Sequence, residues 1–104
     1  MNNNIIGVYP GAFDPITFGH IDIIKRSLKI VNHIIIAIGE NISKKTLFTI
    51  SERRKLIEND IENTFQNSKN IQIKTFQGLL TDFAKINKAT CIIRGLRVVS
   101  DFEY

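Results

Sequence analysis

Four short apolar segments recur along the chain, and the spaces between them are long enough for one helix each. They predict strands at residues 5–9, 33–39, 71–76 and 90–93. The segment 33–39, which reads His-Ile-Ile-Ile-Ala-Ile-Gly, is apolar at nearly every position. Such a run is typical of a strand that is covered on both faces, so the pattern indicates a parallel sheet.

Apolar residues at helical spacing predict the helices between these strands. The first helix is predicted over residues 19–31 and a short third helix over residues 79–86. The second begins after Thr49, because Glu52 three residues later completes a capping box, and it runs to about Gln66. The positions expected to face the sheet are Ile21, Ile24, Leu28 and Val31, then Ile57, Ile61 and Phe65, then Leu79, Phe83 and Ile86.

The alternation of strand and helix specifies the fold class. It predicts a single α/β domain over residues 1–104, a Rossmann-like open parallel sheet of right-handed βαβ units with helices on both faces. Ligands of such sheets bind at the carboxyl ends of the strands. The residues predicted at those ends are 11–20, Lys44, 78–80 and 94–97.

Composition and charge narrow the class of ligand. The chain has 14 Lys and Arg against 10 Asp and Glu, a net charge of +4 that suits an anionic ligand. Basic residues are not interleaved with aromatic ones, which argues against nucleic acid. No membrane span or signal peptide is recognisable, so a cytoplasmic location is predicted. The lone Cys91 lies in an apolar segment and is interpreted as core packing.

The loop after the first strand carries the candidate chemistry. Gly11 lets the backbone approach a ligand closely, and residues 17–20 begin a helix whose free N–H groups suit phosphate. His20 lies within reach of the same anion. Two interpretations remain open at this point, a ligand-binding histidine or a histidine satisfied within the first helical turn. The loop is neither a Walker A motif nor a Gly-x-Gly-x-x-Gly motif.

Two motifs resemble one enzyme family. The pattern Gly-x-Phe-Asp-Pro-x-Thr-x-Gly-His at residues 11–20 is similar to the signature of nucleotidyltransferases that share a T/H-x-G-H element with class I aminoacyl-tRNA synthetases. Thr17 in that element is the form seen in bacterial phosphopantetheine adenylyltransferases. The second motif, Ile-Arg-Gly-Leu-Arg at 93–97 followed by Asp-Phe-Glu-Tyr at 101–104, resembles the same family. The resemblance runs from Ile5 to Tyr104.

The resemblance implies a reaction and its partners. The family transfers the adenylyl group of ATP to 4'-phosphopantetheine, which gives dephospho-coenzyme A and pyrophosphate by in-line attack without a covalent intermediate. Magnesium would accompany ATP, held by phosphates and water, with no dedicated metal-binding residues in the chain. Coenzyme A would also bind, and the resemblance implies a homo-oligomer, since family members form hexamers.

The resemblance also assigns residues. His20, Lys44 and Arg97 match the catalytic residues, His20 as the group that stabilises the transition state at the α-phosphate. Matched to ATP binding are Ala12, Phe13, Gly19, His20, Gly95, Leu96 and Arg97; matched to 4'-phosphopantetheine are Ala12, Lys44, Leu80 and Arg94. Without the resemblance, Lys44 reads as a solvated loop lysine, the two arginines as members of ion pairs, and Leu79 and Leu80 as core residues.

Two departures from the family qualify this assignment. Ala12 stands where the family has Ser or Thr, and one missing donor to an anion weakens binding by about 1.5 to 3 kcal/mol. The resemblance covers about the first two thirds of a typical member. A capping-box pattern at Ser100 and Glu103 predicts the start of a helix just before the sequence ends. The expectation is a nucleotide-binding core with little transferase activity. A non-catalytic nucleotide- or coenzyme A-binding fragment and another specificity, such as cytidylyl transfer, are the alternatives.

Overall fold

The chain forms a parallel sheet with helices on both faces. The structure is a computed structural model and describes residues 4–41 and 45–95. Its elements are β1 (Ile6–Gly11), α1 (Phe18–Ser27), β2 (His33–Gly39), α2 (Ile50–Thr64), β3 (Ile71–Phe76), α3 (Leu80–Ile86) and β4 (Cys91–Ile92). The predicted α/β fold class is confirmed. The helix start predicted at Ser100 lies outside the described residues.

The strands lie in the order β3-β2-β1-β4, and every pairing is parallel. The chain steps outward from β1 to β3 on one side and then crosses to place β4 on the other side of β1. The strand order therefore reverses between β1 and β4. Open α/β sheets bind ligands at such a reversal, beyond the carboxyl ends of the strands.

Strand β2 is the centre of the core, as its continuous apolar run predicted. Ile34, Ile36 and Ile38 point to one face, and all three are fully buried. Ile35 and Ala37 point to the other face, where they pack beneath α3. Because side chains alternate along a strand, burial of both sets requires helices on both sides of the sheet.

Helices α1 and α2 cover the first face of the sheet. Ile21 and Ile24 of α1 and Ile57 and Ile61 of α2 are buried in the same cluster as the β2 isoleucines. The capping box predicted at the start of α2 is present: the Thr49 N–H donates to Glu52 Oε1 at 2.9 Å, and the Glu52 N–H donates to Thr49 Oγ1 at 3.1 Å.

Helix α1 ends earlier than its apolar spacing predicted. It stops at Ser27 rather than residue 31, and the chain tightens through an Ile30 N–H to Ser27 C=O bond of 2.9 Å. Val31 is buried all the same, because the turn returns it to the core. Apolar spacing thus identified the buried positions but not the helix end.

The predicted apolar face of α3 is wrong at two of its three positions. Leu79 is 67% exposed and Ile86 is 79% exposed. Leu79 is the N-cap residue with extended backbone, so it lies outside the helical periodicity. The packed face consists of Leu80, Phe83 and Ala84. The interpretation of Leu79 as core is therefore corrected, whereas Leu80 is partly buried against the core.

The interpretation of Cys91 as core packing is also wrong, since this cysteine is exposed. Strand β4 pairs through only two residues and has a strand neighbour on one side within the described part of the chain. An apolar segment at such a position lacks cover, which its sequence does not reveal. Among the described residues, no helix is both long and apolar enough to cross a bilayer.

The β2 core generates a stability prediction. Ile36→Ala removes a fully buried side chain and should lower the free energy of unfolding by about 2–5 kcal/mol in urea denaturation. Ile30→Ala makes the same change at a residue that is 74% exposed and should cost less than about 0.5 kcal/mol. Equal losses at both positions would contradict the described core.

Candidate active site

A pocket opens where the strand order reverses, beside the start of α1 and the end of β4. Its volume is about 400 Å³, and its lining residues are Tyr9, Thr17, Gly19, His20, Asp22, Ile23 and Gly95. Three of the residues that the resemblance assigned to ATP, namely Gly19, His20 and Gly95, are thus brought together. The predicted location at the carboxyl ends of the strands is confirmed for these residues.

The loop between β1 and α1 is held in an uncommon backbone conformation. Phe13 has a φ of 47°, in the left-handed region that a bulky residue rarely adopts. Its ring is 2% exposed and lies 5.3 Å from the Tyr9 ring and 4.9 Å from the His20 ring, between centroids. Gly11 makes room, because a Cβ there would lie 3.1 Å from the Phe13 ring. Burial of the ring holds the strained backbone in place.

This placement limits what Phe13 offers to a ligand. Its side chain is buried in the core, so only its backbone is available at the loop. Ala12, by contrast, is exposed. The loop therefore presents main-chain groups rather than side chains at these two predicted positions.

His20 completes the N-terminal cap of α1. The backbone N–H of Thr17, the N-cap residue, donates to His20 Nδ1 at 2.9 Å. In return, the His20 N–H donates to Thr17 Oγ1 at 3.4 Å. Glu or Gln usually fills this third helical position in a capping box. The interpretation of His20 as a satisfied first-turn histidine is therefore correct for one of its ring nitrogens.

The same cap fixes the proton on the other ring nitrogen. A backbone N–H can only donate, so Nδ1 must accept and the hydrogen of the neutral ring is on Nε2. Burial lowers the pKa of His20 below its usual value, which favours this neutral form. Within residues 4–41 and 45–95, the ring's hydrogen bonds are all at Nδ1. Nε2 is left as a donor on a ring that lines the pocket.

Further donors lie at the start of α1. The helix begins at Phe18, and its first turn has no acidic residue. The N–H groups of its first residues have no helical carbonyl to bind, and the helix dipole is positive at this end. Gly19 lines the pocket beside His20. This end of the pocket is therefore suited to an anion.

Asp14 and Arg53 connect the loop to α2 and the segment before it, and the sequence analysis predicted neither of these connections. Asp14 accepts hydrogen bonds from the N–H groups of Leu47 at 2.6 Å and Phe48 at 2.8 Å. Arg53 is 4% exposed and donates through Nη1 to the Ala12 carbonyl at 2.9 Å and through Nε to the Phe48 carbonyl at 3.1 Å.

A signal for Arg53 was present in the sequence. The residue precedes Ile57 by four and Ile61 by eight positions, so it lies on the apolar face of α2. A charged residue at such a position is buried only when its donors are satisfied. The sequence showed it instead as part of the basic run 53–55.

Of the remaining predicted site residues, some lie near the pocket, one lies on the other face of the sheet, and three are outside the described residues. Gly95 allows the end of β4 to approach α1, because a Cβ there would lie 2.7 Å from Ile23 Cδ1. Arg94 is exposed beside it. Leu80 is the first residue of α3 and packs on the face of the sheet opposite to α1. Three further predicted residues, Lys44, Leu96 and Arg97, lie outside the described residues.

Over the described ranges, no three His, Cys, Asp or Glu side chains are grouped in a way that could hold a metal ion. The acid in the loop, Asp14, already accepts two backbone hydrogen bonds.

The family model described as cytidylyltransferase-like matches residues 8–104. The chain belongs to the cytidylyltransferase-like family. The matched region contains both motifs from which the nucleotidyltransferase resemblance was inferred, so that resemblance is confirmed.

Curated relatives of this cytidylyltransferase-like chain share about half of its residues. It is 53% identical over 102 residues to the phosphopantetheine adenylyltransferase of Wolbachia sp. subsp. Brugia malayi (strain TRS), covering 98% of the chain and 59% of the relative. It is 50% identical over 99 residues to the phosphopantetheine adenylyltransferase of Clostridium novyi (strain NT), again covering 59% of the relative. The chain thus spans less than two thirds of the length of these relatives.

Solved structures share the fold at lower identity. A nicotinic acid mononucleotide adenylyltransferase of Plasmodium falciparum, complexed with NaAD, aligns with a TM-score of 0.70 and 22% identity, over 83% of this chain and 46% of that one. A bifunctional NMN adenylyltransferase/ADP ribose pyrophosphatase of Francisella tularensis aligns with a TM-score of 0.64 and 24% identity, over 80% of this chain and 25% of that one. The α/β fold of the cytidylyltransferase-like chain is therefore one that adenylyltransferases adopt.

The cap of α1 predicts the protonation of His20. Ring 15N NMR near pH 7.5 should show hydrogen on Nε2 and none on Nδ1. Because burial lowers the pKa of His20, the unfolded chain takes up this proton at a higher pH than the folded chain. The free energy of unfolding should therefore fall as the pH drops below about 6.5, until the folded-state pKa is reached.

The control is His20→Gln, because glutamine also serves as a capping-box residue. This variant should lose the part of the pH dependence that His20 contributes. Hydrogen on Nδ1 in the native ring, or an identical pH dependence in the variant, would contradict the described cap.

Proposed function

We propose that the chain binds ATP and 4'-phosphopantetheine and serves transfer of the adenylyl group between them, giving dephospho-coenzyme A and pyrophosphate. The observation that carries the proposal is the His20 Nε2 donor, held beside the free N–H groups of α1 in a pocket at the strand reversal. The identity of about 50% to phosphopantetheine adenylyltransferases supports this choice of substrates.

The proposed reaction needs positioning and charge neutralisation rather than a protein nucleophile. A phosphate oxygen of 4'-phosphopantetheine attacks the α-phosphorus of ATP, and the bond from that phosphorus to the bridging oxygen breaks to release pyrophosphate. The attacking phosphate oxygen is already ionised, so no protein group must remove a proton. Donors aimed at the developing charge are worth most when they are fixed in place before the reaction.

His20 and the start of α1 supply such donors. The proposal places the Nε2–H of His20 against an oxygen of the α-phosphate, with the N–H groups of Phe18 and Gly19 at the same anion. The lowered pKa of His20 suits this role, because a neutral ring donates without gaining or losing a proton. Lys44 and Arg97 are proposed to neutralise the remaining phosphate charge, and Gly95 and Leu96 to contact ATP.

The acceptor residues are proposed from the resemblance alone. Arg94 and Lys44 would bind the phosphate of 4'-phosphopantetheine, and Leu80 its pantetheine arm. Leu80 is half-buried, so its contact would be made by the part of the side chain that remains exposed. Magnesium is proposed to enter with ATP as part of the substrate, held by phosphates and water. Self-association stays a prediction.

Calorimetry with ATP in magnesium buffer, 4'-phosphopantetheine and CTP tests the proposal, with pyrophosphate release measured in parallel. Binding of ATP and 4'-phosphopantetheine, with CTP much weaker, is the expected result. Pyrophosphate release then separates a transferase from a binding module, which would bind without turnover. A preference for CTP, or no binding of either proposed substrate, would overturn the proposal.

His20→Gln separates the structural role of His20 from its chemical role. The amide oxygen of glutamine can keep the cap, but the imidazole donor is lost from the pocket. Where turnover is measurable, its rate should fall by about 10²–10³-fold, and the free energy of unfolding near pH 7.5 should change by less than about 0.5 kcal/mol. Unchanged turnover in a folded variant would remove His20 from the mechanism.

A hydroxyl introduced at position 12 should increase the affinity for a substrate. Ala12→Thr restores the hydroxyl found in the family and should tighten ATP or 4'-phosphopantetheine binding by about 1.5–3 kcal/mol. Ala12→Val has nearly the same shape without the hydroxyl and is the matched control for calorimetry. An equal effect of both variants would show that shape, and not a hydrogen bond, matters at this position.

A further inference from the structure

We propose that Arg53 and Asp14 are positioning residues that hold the loop after β1 against the segment before α2, and that ligand binding depends on this connection. The inference rests on the proposed function for its ligands. Both side chains bind the backbone of Phe48: Asp14 accepts from its N–H at 2.8 Å, and Arg53 donates to its carbonyl at 3.1 Å. We call these contacts, with the Arg53 bond to Ala12, the Phe48 clamp.

The burial of the Arg53 guanidinium carries a free-energy cost of desolvation. Arg53 is 4% exposed, and within residues 4–41 and 45–95 its hydrogen bonds go to backbone carbonyls and to no carboxylate. Burial of a charged side chain is costly unless its donors are satisfied, and here backbone carbonyls satisfy them. Its five fixed donors let one side chain reach both the loop and the segment before the helix.

The bond to Ala12 sets the direction of a donor in the loop. Arg53 Nη1 holds the Ala12 carbonyl at 2.9 Å. Because the peptide group is planar and trans, the N–H of Phe13 then points away from Arg53. Arg53 thereby fixes the orientation of a main-chain donor in the loop that leads to His20.

Asp14, two residues after Ala12 in the loop, makes the second set of contacts to the segment before α2. Both of its carboxylate oxygens accept backbone N–H groups, from Leu47 at 2.6 Å and Phe48 at 2.8 Å. Charge-assisted bonds of this length are among the stronger ones in proteins. The clamp therefore fixes the loop after β1 against residues 47–48.

Conservative variants test the clamp. Arg53→Lys keeps the charge but cannot reach both carbonyls, and Asp14→Asn replaces one of the two acceptors with a donor. Arg54→Lys is the matched control, because Arg54 is exposed on the same helix and pairs with Glu58. Asp60→Asn on α2 is the control for the acid.

Two measurements are made on the full chain. Amide hydrogen exchange without ligand follows Leu47 and Phe48, and calorimetry gives the affinities for ATP in magnesium buffer and for 4'-phosphopantetheine. Arg53→Lys and Asp14→Asn should speed exchange at Phe48 and weaken ligand binding at least about tenfold. The controls should do neither. The His20 ring 15N signals should stay in place, which shows that the cap of α1 is intact.

The outcomes separate the clamp from the proposed function. Faster exchange with unchanged affinity would show a purely structural contact and overturn the inference, as would unchanged exchange at Phe48. If the native chain binds neither ligand, the proposed function fails, and the exchange rates alone decide whether the clamp exists. If Arg53→Lys does not fold, Asp14→Asn, which leaves α2 unaltered, gives the answer.

Discussion

The hydrogen bond from the Thr17 backbone N–H to His20 Nδ1 determines what the site can do. It is part of the N-terminal cap of α1, it fixes the orientation of the imidazole, and it leaves the ring hydrogen on Nε2. A purely structural cap does not require Nε2 to lie beside a pocket. A histidine that only binds a ligand needs another group to orient its ring. In the proposed function one side chain does both, so the two interpretations that the sequence left open are compatible.

The rest of the fold positions that bond. The buried β2 isoleucines hold β1 in the middle of the sheet, and β4 lies on its other side, so the loop after β1 faces the strand reversal. The Phe13 ring is buried among Tyr9 and His20 and holds the strained loop conformation. The end of β4 lies close to α1 at Gly95, where a Cβ would meet Ile23 Cδ1 at 2.7 Å. Residues of the core cluster, such as Tyr9, therefore also line the pocket.

Some features could be predicted from the sequence because they depend on local periodicity. The bounds of β2 and the cap at Thr49 follow from residues within a few positions of each other. The packed face of α3, the exposure of Cys91 and the burial of Arg53 depend instead on which segments meet in space. For Arg53 the partner carbonyl of Ala12 is 41 residues away along the chain. The motif located His20, but only the structure shows which of its nitrogens is free.

Titration of the chain with ATP in magnesium buffer, followed by the ring 15N and 1H signals of His20, tests the central claim most directly. The account predicts that the His20 Nε2–H signal shifts as a phosphate oxygen accepts its hydrogen bond, while Nδ1 stays unprotonated. The exposed His33 at the start of β2, remote from the pocket, should show no comparable change. Saturable ATP binding that leaves the His20 ring signals unmoved would contradict the account.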